Sequence, residues 1–175
     1  KTYPQEINLY GMLGCSYFLS GNEKEAGDIW LNTAKSLSKN ESSFRVIANY
    51  ALSVRAFDYA INLFKEAKNF YNNLALNYDL ANLLMITMNY KDAAEEYAEI
   101  ISKDPNQIYS VEARLQPYLA KEDVVKIYTE VLEQKNPDLN MNFAYLLIIL
   151  YTQSSKFDKA FDLVKILDEK QKRQG

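Results

Sequence analysis

One template recurs along the chain at intervals of about 34 residues, and that period constrains the fold more than any other feature. Tyr10-x-x-Leu13-Gly14-x-x-Tyr17, followed by Ala26-x-x-x-Trp30, sets the pattern. Phe44-x-x-Ile47-Ala48 and Ala60-x-x-x-Phe64 repeat it. A third copy has Leu80-Ala81 with Leu84, then Ala93-x-x-x-Tyr97 and Pro105. The fourth has Val111 and Leu115, then Val124-x-x-x-Tyr128; the fifth has Leu147-Ile148 and Tyr151, then Ala160-x-x-x-Val164. The alanine-type positions 26, 60, 93, 124 and 160 are separated by 34, 33, 31 and 36 residues. Five units, at about 7–40, 41–73, 74–104, 105–138 and 141–174, make residues 1–175 a single array.

Each unit reads as two amphipathic helices. In the second, Phe57, Ala60, Ile61, Phe64 and Ala67 fall at helical spacing on one face. Small residues (Gly14, Ala48, Ala81 and Ala26, Ala60, Ala93) allow close backbone approach, and Tyr17, Trp30, Phe64, Tyr97 and Tyr128 fill the space beside them. Asp104-Pro105 and Asn136-Pro137 mark helix starts, each a capping side chain followed by proline. Gly21-Asn22 and Asn89-Tyr90 mark turns inside units. No unit buries its apolar face alone, so neighbours must supply the core.

These residues and this spacing resemble the tetratricopeptide repeat family over roughly residues 7–174. The resemblance and the helical periodicity together predict an all-α, right-handed α-α superhelical solenoid of about five helix-turn-helix repeats. The fourth unit departs from the pattern: Glu112 replaces a small residue, Val124 replaces alanine, and Pro117 lies late in the first helix. A kink or an early helix end is predicted there.

The resemblance implies a concave groove lined by the first helix of each unit and filled by a peptide or helix of a partner protein. Aligned groove positions are Gly11, Cys15, Phe18; Arg45, Asn49, Ser53; Tyr78, Asn82, Met85; Tyr109, Ala113, Gln116; and Tyr145, Ile149, Thr152. The candidate contacts are Arg45, Asn49, Tyr78, Asn82, Tyr109 and Tyr145. Tyrosine offers area with a polar tip, and asparagine can donate to and accept from a peptide backbone. Arg45 with Asn49 resembles part of the family's clamp for acidic C-terminal peptides. Asp79, Asn106 and Ser110 depart from it, which argues against strong capture of a carboxylate.

Catalysis is not expected. The chain has no histidine, so the commonest general base and metal ligand is missing, and its single cysteine, Cys15, excludes a disulfide framework or a thiolate zinc cluster. Asp92, Glu95, Glu96 and Glu99 read as a solvated helix face, and no phosphate loop or nucleophile elbow is present. No metal and no cofactor are expected. A net charge of −3 argues against nucleic acid as a partner.

The longest apolar run, Phe143–Tyr151, has nine residues, less than half of a membrane span. The first residues, Lys1-Thr2-Tyr3-Pro4, carry no initiator Met and no signal region, which reads as a mature form or a piece of a longer protein with targeting signals elsewhere. In the last helix Phe157, Ala160, Phe161, Val164 and Leu167 are expected to face the array. Leu163 and Ile166 then form an extra apolar patch, a candidate end-to-end contact for self-association or for a spacer role in a larger assembly.

Overall fold

The computed structural model describes residues 4–37, 41–135 and 141–174; the Asn136-Pro137 helix start lies outside them. All ordered elements among these residues are helical. The chain divides into two compact units, residues 1–87 and 88–175, with the boundary inside the third repeat.

The first unit holds α1 (Pro4–Leu19), α2 (Glu23–Ser36), α3 (Ser42–Ser53), α4 (Phe57–Phe70) and α5 (Leu74–Ile86). Each helix packs on its successor, and α1 also packs on α3. The second holds α6 (Tyr90–Lys103), α7 (Ile108–Leu115), α8 (Glu122–Lys135), α9 (Met141–Gln153) and α10 (Phe157–Gln174). There α8 packs on both α6 and α9, and α9 on α7 and α10. Helix pairs that pack chiefly on the same and the next repeat define a helical repeat; the exception is α6, which also touches α9 past the short α7.

The template residues are the core. Ala26, Ala60, Ala93 and Val124 are fully buried, and Trp30, Phe64, Tyr97 and Tyr128, four positions later, are buried beside them. At Gly14 the packing leaves no room for a side chain: a Cβ would overlap the Trp30 indole. The indole is held by its Nε1–H, which donates to the Gly11 carbonyl at 3.1 Å, and by the rings of Phe18 and Tyr59 at 6.0 and 5.8 Å. In the first helix pair the small Gly14 makes room for the large Trp30, as expected where one volume is shared.

The turn from first to second helix is also repeated. Gly21, Arg55, Met88 and Ser155 take corresponding positions and all have positive φ, 85°, 61°, 60° and 56°. A left-handed residue lets the next N–H reach back to close the helix: Asn22 donates to Tyr17, Ala56 to Ala51 and Lys156 to Tyr151, at 2.8–2.9 Å. The fourth repeat lacks this turn. Pro117 ends α7 at Leu115, and a 3-10 turn, Gln116–Tyr118, carries the chain on. The early end predicted from Pro117 is thus observed. Asp104 caps the Pro105–Gln107 turn leading into α7, its carboxylate accepting from the Asn106 N–H at 3.1 Å.

The last helix is rotated from the expected orientation. Ala160 and Leu163 are buried and Leu167 half-buried, while Phe157, Phe161 and Val164 are exposed. Leu163, only 6% exposed, is therefore not part of an open patch. It belongs to the face of α10 that packs on α9. Ile166 stays partly open beside Leu147 and Tyr151. No described helix is long and apolar enough to cross a membrane.

Candidate functional site

The candidate contacts lie on first helices of repeats, in two groups. Arg45 and Asn49 stand one turn apart on α3, and Tyr78 and Asn82 one turn apart on α5, all in the first unit. Asn49 and Asn82 are exposed; Arg45 and Tyr78 are half-buried. Arg45 is already engaged. Its Nε donates to an Asp79 oxygen at 2.7 Å, and its Nη1 lies 3.9 Å from Glu41. Glu41 in turn accepts from the Asn73 amide at 2.6 Å. A guanidinium so placed offers little free charge to an incoming carboxylate.

Tyr109 on α7 and Tyr145 on α9 form the second group. Their rings meet edge to face, with centroids 5.7 Å apart and planes at 70°. The Tyr145 hydroxyl donates to a Glu112 oxygen at 3.0 Å. That bond to an anion, with lesser contributions from burial and the carboxylate charge, raises the Tyr145 pKa above the ordinary phenol value and keeps it a donor. Tyr109 remains 68% exposed.

Three aligned groove positions are consumed by packing. Gly11 is buried under the Tyr50 ring, Phe18 sits against Trp30 and Tyr59, and Met85 is buried. Cys15 is half-buried, its Sγ donating to the Tyr50 carbonyl at 3.3 Å. Sequence reasoning missed the role of Glu112, which orients Tyr145. The separations carry the signal: 34 residues for Arg45 to Asp79 and 33 for Glu112 to Tyr145, one repeat period in each case. A complementary polar residue one period away lands beside its partner on the next first helix.

Of the acidic run on α6, Asp92 and Glu95 are exposed, and Glu99 pairs with Lys103 at 2.7 Å. Among the described residues no group of three or more His, Cys, Asp or Glu could hold a metal ion.

These features define the class: an all-α array of helix-turn-helix repeats of the tetratricopeptide-like kind. No protein-family model matches the chain, and no curated protein does. Solved structures to which it is similar include a MamA double mutant (MamA RS-1 ArsTM), at 11% identity and a TM-score of 0.44 over 99% of this chain and 98% of that one. Another is the "Podosopora anserina putative kinesin light chain nearly identical TPR-like repeats", at 15% identity and a TM-score of 0.41 over 99% of each chain.

Proposed function

We propose that the chain is a non-catalytic protein-interaction module that holds a partner's peptide or helix against the first helices of its repeats. The observation that carries this reading is the Tyr109–Tyr145 pair. Two aromatic rings are oriented by each other and by Glu112, yet Tyr109 stays largely in water. An oriented, exposed tyrosine contributes contact area with little further loss of rotamer freedom on binding. Such anchors dominate interface energetics, with losses of roughly 1–4 kcal/mol on truncation.

The pairing of Arg45 with Asp79 points away from acidic C-terminal peptides. Asn49 and Asn82 favour an extended segment recognised through backbone amides, and the tyrosines favour apolar or aromatic side chains. Panning a displayed random-peptide library against the chain tests the proposal. Enriched peptides should bind Tyr109→Ala/Tyr145→Ala at least about tenfold more weakly, while a Lys126→Ala control on α8 leaves binding unchanged. Peptides insensitive to both tyrosines, or unfolding of the double variant, would refute the assignment.

A further inference from the structure

Charge is divided unevenly between the two helices of each repeat. The second helices α2, α4, α6, α8 and α10 carry between four and nine charged residues each. The first helices α1, α3 and α5 carry one apiece, Glu6, Arg45 and Asp79; α7 carries Glu112 and Arg114; α9, 13 residues long, carries none. Burial alone does not account for this, because Asn49, Asn82, Tyr109, Gln116 and Thr152 all stand exposed on first helices.

The pattern is sharpest in the second unit, where α7 and α9 pack together. Tyr109, Ala113 and Gln116 on α7 and Tyr145, Ile149 and Thr152 on α9 hold the aligned groove positions. None is charged, and all but the half-buried Ile149 are exposed. The two charges of α7 are both engaged. Glu112 is half-buried and accepts from the Tyr145 hydroxyl at 3.0 Å, and Arg114 folds back to donate from Nη1 to the Ser110 carbonyl of its own helix at 3.0 Å. The first unit follows the same rule: Arg45 is the one charged residue at its aligned positions, and Asp79 neutralises it at 2.7 Å.

We infer that the occupant of the α7/α9 face is a protein segment free of charged side chains, built of apolar, aromatic and amide residues. This rests on the reading that a partner binds the first helices, and it names the chemistry of that partner. A lysine or carboxylate laid on this face loses hydration and meets no free counter-charge; to reach Glu112, a lysine must displace the Tyr145 hydroxyl. Apolar and aromatic side chains lose nothing comparable. They pack on Tyr109 and Tyr145, while the Gln116 amide and the Thr152 hydroxyl can serve backbone groups of the segment. With no charge pair across the contact, salt has little to screen.

Peptides enriched from a displayed random library on the wild-type chain test this through their charge. Asp, Glu, Lys and Arg should be depleted in the enriched core relative to the unselected library. The Kd of the strongest synthetic peptide, read by fluorescence anisotropy, should rise at most about twofold between about 0.1 and 1 M sodium chloride, over which the screening length falls from about 10 to 3 Å. Glu or Lys at its central apolar position should weaken binding about tenfold or more. Ala113→Glu, at an exposed position one turn from Tyr109, should enrich Lys and Arg instead. Enrichment of charged residues by wild type, or a Kd that rises about tenfold with salt, overturns the inference. Loss of that same binding in Tyr109→Ala/Tyr145→Ala would then leave the groove itself standing. Peptides insensitive to both tyrosines, or a library that yields no binder, sink the groove reading and this inference with it. Self-association of the chain that Tyr109→Ala removes would make a second copy the occupant, which also overturns it.

Discussion

Replacing Gly14 by alanine sets two effects of opposite sign against each other. In an exposed helix interior the change stabilises by about 1 kcal/mol, because glycine is the freer residue in the unfolded chain. Here the added Cβ would overlap the Trp30 indole, which is fully buried and cannot step aside without breaking its bond to the Gly11 carbonyl or displacing Phe18 and Tyr59. Overpacking of this kind costs about 1–3 kcal/mol. Loss of the indole hydrogen bond adds about 1 kcal/mol. The balance is a net destabilisation of about 1–3 kcal/mol. Trp30 is the chain's single tryptophan, so its fluorescence reports both the stability and the local displacement in one urea titration. The midpoint should fall and the native emission should shift. A Gly14→Ala chain as stable as wild type, with unchanged native emission, would refute the packing argument and show that helix propensity outweighs steric overlap at this position.

Three other outcomes follow from local geometry. Arg55→Gly and Ser155→Gly should each raise the thermal midpoint, by roughly 0.5–1 kcal/mol in stability, because both side chains occupy a left-handed turn position that Gly21 fills without strain. The Tyr151 hydroxyl bond, aided by Lys159 and opposed by burial, holds the Glu133 carboxyl below its ordinary value of 4.5, so Tyr151→Phe should move it upward in a carboxyl NMR titration. The sign of the linkage is fixed: the depressed carboxyl contributes stability above its unfolded pKa, and this is lost as pH falls through the folded pKa. Wild type should therefore lose more stability than Tyr151→Phe in acid melts across that window. Finally, Asp79→Asn should cost at most about 1 kcal/mol of stability, since the pair is partly exposed. It should also strengthen binding of a peptide with a free C-terminal carboxylate, measured by fluorescence anisotropy; unchanged binding would show that Arg45 does not face the ligand.

The period of the template determined the helix pairs and their order, because an array whose neighbours share one core must place the same residue type at the same slot in each copy. Ala26, Ala60 and Ala93 were legible for that reason, and so was the early end of α7 at Pro117, a purely local backbone effect. The candidate tyrosines were legible only as positions. That Tyr109 and Tyr145 meet, and that Glu112 holds the second, depends on how far one first helix stands from the next. The same holds for Arg45, whose charge is taken up by Asp79 one period away.

The last helix shows the limit most clearly. Its sequence carries apolar residues around much of its circumference, so helical periodicity alone does not say which stripe is inward. Tertiary packing decided it. Packed on α9, α10 buries Ala160 and Leu163 and leaves Phe161 and Val164 open. Composition and spacing settle which residues are able to be buried; the presence or absence of an adjacent helix settles which of them are.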